Sequence, residues 1–242
     1  MILINPKSNN PSPFKAIEPP IWCAMLAGEG DRIIDFEVDK YAEFNPGDEV
    51  TIVVMGNNPS VASTSKMPAA KRMLRELTRA KLGLGDIFIT GLHPIAMGEQ
   101  TFQMPPPCAL VKIPRARWEL LDMKKYRAHN WHCLHDLESR GHYASLYTSF
   151  GCPFDCDYCN IHTIYQGRAV YYRPPEEVIA EIGLLVNTYG VKNLKLCDEL
   201  FTLNQDHVKS ICSGIKDYNL NIWAYARLDS VDEDLLSVMK DA

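Results

Sequence analysis

Short apolar runs alternate with amphipathic stretches along most of the chain, and this alternation restricts the fold more than any other feature. Five runs in the first half are strand candidates: residues 1–5, 33–38, 50–55, 87–90 and 109–113. Residues 67–80 place Ala70, Met73 and Leu77 on one helical face. This rhythm predicts the α/β class, with a parallel sheet covered by helices.

The second half repeats the rhythm as three strand–helix units. Strands are predicted at residues 144–150, 194–197 and 221–226. Pro175 and Gly190 are placed to begin and end the first helix. Asn204 is expected to cap the second helix, and Ser230 the third. Three such units are half of a barrel, and half a barrel leaves one strand edge open. We therefore expect a barrel that is truncated in this chain.

These patterns divide the chain into two domains and a linker. Residues 1–115 form the first predicted domain, and residues 143–242 form the first half of a barrel. Residues 116–142 break the rhythm and are rich in Arg, Lys, His and Trp. We interpret them as a connecting segment with short helices.

Charge and hydropathy exclude several classes of partner. The formal net charge is −5, so no basic surface favours nucleic acid or an anionic membrane. No long apolar segment predicts a membrane span, and no signal peptide is recognised. A cytoplasmic location and a small-molecule substrate are expected. Because cytoplasmic thiols stay reduced, the eight cysteines need an explanation other than disulfides.

Three of the cysteines form a motif. Cys152, Cys156 and Cys159 have C-x3-C-x2-C spacing directly after a predicted strand. Thiolates on one short loop are suited to an iron–sulfur cluster, and three thiolates leave one of four irons open. A structural zinc site is the alternative, with His162 as the fourth ligand.

This motif, with Tyr158 before its last cysteine, resembles that of the radical S-adenosylmethionine superfamily. The resemblance implies an enzyme in which the open iron of a [4Fe–4S] cluster binds S-adenosylmethionine. Cleavage of the sulfonium then gives a 5′-deoxyadenosyl radical, which abstracts hydrogen from the substrate. An electron donor such as flavodoxin or ferredoxin is the implied protein partner.

The resemblance also implies roles for residues outside the motif. Tyr158 is expected to shield the cluster or contact adenine. Asp198 and Glu199, after the second strand, look like an acidic variant of the motif that holds the methionyl amino group, and either carboxylate is a candidate. Arg227, after the third strand, is a candidate for the methionyl carboxylate. The alternatives are solvated strand-end carboxylates and a surface arginine.

The first half resembles the Rossmann-like cobalamin-binding domain of one subclass of this superfamily. Ser60, Ser63 and Thr64, in a loop of small residues, are the candidate cobalamin contacts. The lower-ligand motif D-x-H-x-x-G is absent. Cobalamin implies methyl transfer to an unactivated carbon, whereas radical rearrangement, cyclisation or oxidoreduction are the alternatives without methyl transfer. A non-enzymatic zinc-binding interaction domain is the alternative of another class.

A histidine repeat lies in the linker. His129, His132 and His135 recur every third residue, which permits a second metal site. The neighbouring Tyr126 and Trp131 favour a packed, hydrogen-bonded segment instead, because packed histidines are commoner than histidine ligands without a matched carboxylate or cysteine.

Overall fold

The computed structural model describes residues 1–8, 13–55, 66–113 and 115–242. The chain divides into two compact units. The first unit comprises Met1–Pro105 and Ala116–Lys125, and the second comprises Pro106–Arg115 and Tyr126–Ala242. The stretch predicted as a linker is thus shared between the two units.

The first unit is built on a parallel sheet of four short strands. They are β1 (Ile2–Asn5), β2 (Arg32–Asp35), β3 (Val50–Val53) and β4 (Ile87–Thr90), in the spatial order β2-β1-β3-β4. All three strand pairs are parallel. β1 and β3 are the two central strands. The connection from β1 leads outward to β2, and the connection from β3 leads outward to β4 on the other side, so the connections diverge between β1 and β3.

Apolar side chains hold this sheet against its helices. The helices are α1 (Ile21–Leu26), α2 (Met67–Arg79) and α3 (Leu92–Ala96). Met67 and Ala70 of α2 join the isoleucines and valines of the sheet in one buried cluster. The described part of the β2–β3 connection contains no helix. Phe36 and Phe44 from that connection pack against the same cluster.

Buried polar groups occupy the carboxyl ends of β1 and β2. Asn5 Nδ2 donates to Asp35 Oδ1 at 2.7 Å, and Lys66 Nζ donates to Asn5 Oδ1 at 3.2 Å. Lys66 also pairs with Glu37 at 2.7 Å. A buried ammonium is tolerated only with such partners, so this network fixes the start of α2 against the sheet.

The second unit has a three-stranded parallel sheet and a separate hairpin. The sheet contains β5 (Tyr143–Leu146), β8 (Asn193–Leu196) and β9 (Asn221–Trp223), in the order β5-β8-β9. The hairpin contains β6 (Ser149–Phe150) and β7 (Tyr171–Tyr172), which pair antiparallel. The predicted strand at 144–150 is therefore two strands that belong to different sheets.

Five helices complete the second unit. They are α4 (Pro107–Leu110), α5 (Ile161–Tyr165), α6 (Pro175–Tyr189), α7 (Gln205–Ile215) and α8 (Glu233–Lys240). α6 packs on α7, and α7 packs on α8.

The α/β class with parallel sheets is confirmed. The predicted helix that ends at Gly190 is also confirmed, since Gly190 adopts φ 67° directly after α6. Asn204 caps α7, as expected, by accepting from the His207 amide at 3.1 Å. Two local predictions are wrong. Residues 107–110 form a helix where a strand was expected at 109–113, and the cap of α8 is Asp232 rather than Ser230.

None of the helices in the described ranges is long and apolar enough to cross a membrane.

Gly190→Ala is expected to destabilise the second unit. A Cβ at φ 67° is strained, and it would lie 3.2 Å from His142 Nδ1, so the expected loss is about 1 kcal/mol in the free energy of unfolding. Urea unfolding followed by tryptophan fluorescence measures it. Gly141→Ala is the matched control, because nothing lies within 4 Å of its added Cβ. Equal unfolding midpoints for Gly190→Ala and the unsubstituted chain would contradict the assignment.

Candidate functional site

The three cysteines lie on the loop that joins β6 to β7. This hairpin follows the carboxyl end of β5 after a break of two residues, so the loop starts at the edge of the sheet where barrel enzymes place their chemistry. Cys152 and Cys156 are partly exposed, and Cys159 is exposed.

Gly151 sets the width of the hairpin at the start of the loop. Its φ is 99°, and a Cβ there would overlap the backbone carbonyl oxygen of Ala169. Only glycine permits this close approach of the two backbones. The cysteine loop therefore begins from a fixed point.

Local contacts shape the loop itself. The Cys159 amide donates to the Cys156 carbonyl at 2.9 Å, which closes a turn between the last two cysteines. His162 Nε2 lies 2.9 Å from the carbonyl oxygen of Cys152, so this nitrogen carries the proton and donates it. Asp155 pairs with Arg168 across the loop. His162 thus supports the backbone of the loop at Cys152 through Nε2.

The thiols of Cys152, Cys156 and Cys159 are at least partly exposed, and they are not arranged around one metal position. Among the residues that the structure describes, no three His, Cys, Asp or Glu side chains are grouped as ligands of one metal ion. Burial raises the pKa of the Cys152 thiol above its usual value, and the charges of Glu199 and the other two cysteines add to this effect. The donor set of three thiols on one loop fits a thiolate-held cluster.

Asp198 follows β8 and is bonded to the residues that precede the cysteine loop. Its Oδ1 accepts from the Thr148 amide at 2.7 Å, and its Oδ2 accepts from the hydroxyls of Thr148 at 2.5 Å and Ser149 at 2.6 Å. The residue is completely buried. Burial raises its pKa, and these hydrogen bonds oppose the rise.

Glu199 faces the cysteine loop. Its Oε1 accepts from the Tyr165 hydroxyl at 3.1 Å. Its Oε2 is buried and has no hydrogen-bond partner within the described residues. Burial, with a contribution from the charge of Asp198, raises the pKa of Glu199 to about 8, although hydrogen bonding by the Tyr165 hydroxyl and by the backbone amides of Glu199 and Gly151 opposes the rise. A buried carboxyl oxygen without a donor is costly, and it is suited to receive a cationic ligand.

Arg227 reaches the cysteine loop from the segment after β9. Its guanidinium lies 4.0 Å from the centroid of the Phe154 ring. Two hydrogen bonds of 2.8 and 2.6 Å hold the same guanidinium on Asp229. This ion pair raises the pKa of Arg227. The side chain is exposed and fixed in orientation.

Three known proteins are similar to part of this chain. An uncharacterized methyltransferase of Pyrococcus horikoshii is 31% identical over 142 residues, which are 56% of this chain and 28% of that protein. Cytidylyl-2-hydroxyethylphosphonate methyltransferase of Streptomyces wedmorensis is 28% identical over 134 residues, which are 54% of this chain and 24% of that protein. Anaerobic magnesium-protoporphyrin IX monomethyl ester cyclase of Synechocystis is 29% identical over 135 residues, which are 54% of this chain and 25% of that protein.

By their names, the three relatives are two methyltransferases and a cyclase. This similarity supports the sequence prediction of an enzyme of the radical S-adenosylmethionine family. No family model matches the chain. The aligned segment spans only about a quarter of each relative.

The structure brings some predicted site residues together and leaves others apart. Glu199 and Arg227 lie at the cysteine loop, whereas Asp198 bonds Thr148 and Ser149 at the base of the hairpin. The Tyr158 side chain is 93% exposed. The candidate cobalamin contacts Ser60, Ser63 and Thr64 lie outside the described residues.

Sequence analysis missed four groups that build the site. Tyr165 bonds Glu199, Phe154 stacks under Arg227, and Thr148 and Ser149 bond Asp198. Thr148 and Ser149 could have been noticed in the sequence, because two consecutive polar residues break the alternation of the strand predicted at 144–150. Nothing local marks the other two, since their partners are distant in sequence.

The histidine repeat forms a hydrogen-bonded segment that packs on the sheet of the second unit. His132 is buried, and its Nδ1 lies 3.0 Å from the Tyr143 hydroxyl. Its ring stacks on that of Tyr143 and meets that of Trp223 at a tilt. Burial, helped by the charge of Lys195, lowers the pKa of His132 to about 3. His135 Nδ1 lies 3.2 Å from the Asn130 amide nitrogen. These contacts favour the packed interpretation.

Glu199 should make the metal-free chain less stable as the pH rises. Its pKa is about 8 when folded and lower when unfolded, so the folded state keeps a proton that the unfolded state releases. Between about pH 5 and pH 8 the free energy of unfolding is expected to fall on the order of 2 kcal/mol further in the unsubstituted chain than in Glu199→Gln. Urea unfolding across this range measures the difference.

Asp157→Asn is the control for this experiment, because Asp157 is an exposed acid in the same loop. It should keep the pH dependence of the unsubstituted chain. Parallel stability curves for Glu199→Gln and the unsubstituted chain would show that Glu199 titrates normally.

Proposed function

We propose that this chain holds a [4Fe–4S] cluster on Cys152, Cys156 and Cys159 and binds S-adenosylmethionine at the iron that no cysteine ligates. The observation that carries the proposal is the buried Oε2 of Glu199 beside the cysteine loop, for which the described part of the chain offers no hydrogen-bond partner. When bound, the cluster supplies the electron that cleaves the sulfonium of S-adenosylmethionine.

Glu199 is the proposed acceptor for the methionyl amino group. Its second oxygen is held by Tyr165, so the carboxyl plane is oriented before a ligand arrives. The free oxygen would accept one hydrogen bond from the ammonium, and the opposite charges would strengthen it. Asp198 has no comparable capacity, because three donors already occupy its oxygens.

Aromatic side chains form a wall beside Glu199. Tyr147 stacks on Phe150 at 4.9 Å between centroids, and Tyr165 meets Phe150 edge-on at 6.3 Å. All three side chains are buried. This wall excludes water from the Glu199 side of the loop, which strengthens electrostatic contacts there and protects a reactive intermediate.

Arg227 is the proposed partner of the methionyl carboxylate. Its position over Phe154 places a cation at the cysteine loop. Asp229 accepts hydrogen bonds from Nε and Nη2 of Arg227. A ligand carboxylate would therefore have to share the guanidinium or displace Asp229. Tyr158 remains the proposed shield of the cluster or contact of adenine.

The first unit is the proposed Rossmann-like cobalamin-binding domain, and the second is the proposed start of a partial barrel. In open α/β sheets, ligands bind outside the carboxyl ends of the strands where the connections diverge. That point lies between β1 and β3. Ser60, Ser63 and Thr64 follow β3 in the sequence and are the proposed contacts.

Methyl transfer to an unactivated carbon is the proposed reaction. Two of the three relatives are named methyltransferases. The third is named a cyclase, which supports radical ring closure as the second candidate. The proposed setting is the cytoplasm, with a small-molecule substrate and a flavodoxin- or ferredoxin-type electron donor.

Anaerobic reconstitution tests the cluster. We expect about four iron and four sulfide per chain, with the brown absorption of a [4Fe–4S] cluster. Cys156→Ala should lose most of the iron, whereas Cys212→Ala, a buried thiol on α7, should retain it. Stoichiometric zinc without iron, or full iron content in Cys156→Ala, would refute the proposal.

Glu199→Gln tests the cosubstrate site. The substitution keeps the shape and removes the charge, so the dissociation constant for S-adenosylmethionine should rise about 10- to 100-fold while the iron content stays unchanged. Calorimetric titration of the reconstituted chain measures this. Asp157→Asn is again the control, and unaltered affinity in Glu199→Gln would assign the amino group elsewhere.

Cobalamin binding to the first unit is tested separately. Equilibrium dialysis against hydroxocobalamin should give about one cobalamin per chain if the domain retains the function of its fold. Replacing Ser60, Ser63 and Thr64 together with alanine should weaken this binding. Absence of binding to the unsubstituted chain would favour the chemistry without methyl transfer.

A further inference from the structure

The backbone breaks between β5 and β6, and this break leads into the cysteine hairpin. β5 pairs with β8 up to Leu146, and β6 pairs with β7 from Ser149 onward. Tyr147 and Thr148 belong to neither ladder. The direction in which the hairpin leaves the sheet therefore depends on what holds these two residues.

Asp198 holds the break from the end of β8. Its two oxygens accept from the Thr148 amide, the Thr148 hydroxyl and the Ser149 hydroxyl at 2.5–2.7 Å. His207 Nε2 donates to the Thr148 hydroxyl oxygen at 3.2 Å, so this hydroxyl is both donor and acceptor. The carboxylate is thus fully used by the two residues where the chain changes sheets.

Arg173 holds the same break from β7 and α6. Its amide donates to the Thr148 carbonyl at 2.9 Å, and its guanidinium donates to the Tyr147 carbonyl at 2.9 Å. Glu181 of α6 pairs with the guanidinium at 2.7 Å, and both side chains are buried. The break is therefore bonded from two directions, by one anion and one cation.

Because Asp198 and Arg173 are buried, losing their hydrogen bonds to the break would be costly. A buried charge that loses its donor or acceptor costs several kcal/mol, so the break cannot shift without exposing or orphaning Asp198 or Arg173. The hairpin is therefore rigid at its base, because its first strand, β6, begins at Ser149, which is bonded to Asp198.

We infer that Asp198 is a positioning residue that fixes the base of the cysteine hairpin relative to Glu199. Asp198 and Glu199 are neighbours in sequence with different partners: Asp198 bonds the two residues at the base of the hairpin, and Glu199 bonds Tyr165 of α5. The functional meaning rests on the proposed cluster, but the rigidity of the hairpin does not.

Asn193→Ala provides a matched control at the other end of β8. Asn193 begins β8, is itself completely buried, and makes three hydrogen bonds of 2.7–3.1 Å with Ser139, Gly141 and Asn221. Asp198→Ala and Asn193→Ala thus each remove three side-chain hydrogen bonds next to one end of β8, but only the first touches the hairpin.

Hydrogen exchange of the cluster-free chain is the first measurement. Amides in residues 151–170, including those of Cys159 and Gly167, should exchange about tenfold faster in Asp198→Ala than in the unsubstituted chain. Asn193→Ala should leave this segment unchanged despite a similar loss in melting temperature. Asp198→Asn keeps one acceptor oxygen and should fall between.

The cluster signal is the second measurement. In the reconstituted and reduced protein, the change that S-adenosylmethionine makes in the electron paramagnetic resonance spectrum should weaken in Asp198→Ala and persist in Asn193→Ala. If the unsubstituted chain takes up no iron, the proposed function fails while the exchange result still decides the positioning role.

Two outcomes would overturn the inference. Hairpin exchange at the unsubstituted rate in Asp198→Ala would show that Asp198 does not hold the break, and equal acceleration in Asn193→Ala would reduce its effect to general stability. If Asp198→Ala does not fold, Ser149→Ala removes one of the three bonds and should still accelerate hairpin exchange about threefold; an unchanged rate there also overturns the role.

Discussion

Buried charge at the carboxyl ends of parallel strands is the constraint on which both units depend. Such ends leave polar backbone and side chains in a region that the helices shield from water, so each charged group needs a partner of its own. The first unit meets this need with Lys66 between Asn5 and Glu37. The second meets it with Asp198 and the Arg173–Glu181 pair. In both units, the charges fix the segments that leave the sheet.

Much of the fold was predictable because its signals are local. Gly190 ends α6 through a left-handed backbone that glycine adopts freely, and Asn204 caps α7 through a side chain three residues from its donor. The apolar runs of β1, β3 and β4 are wholly or largely buried by helices, so their composition alone identifies them. The cysteine motif is also a local signal, read from its spacing and its place after a strand, and the cluster on it stays a prediction.

One error arose where distant contacts decide, and two arose where a stronger local signal was overlooked. The pattern at 144–150 alternates as one strand would, but Asp198, fifty residues away, and Arg173 divide it into two. Pro106 and Pro107 start a short helix where the apolar run at 109–113 suggested a strand. Asp232 rather than Ser230 caps α8 because its own side chain reaches the Leu235 amide. The sequence likewise offered Asp198 and Glu199 as equals, and only burial and bonding separate them.

The raised pKa of Glu199 couples occupancy of the site to proton uptake and release. Below about pH 8 the empty carboxyl is neutral, so a cation that settles against Oε2 must first displace a proton to gain a full counter-charge. By thermodynamic linkage, the cationic ligand proposed for this site would release a proton on binding, and its affinity would be higher in mildly alkaline solution than at neutrality. The neutral carboxyl also spares the ligand-free chain a buried negative charge without a counter-charge.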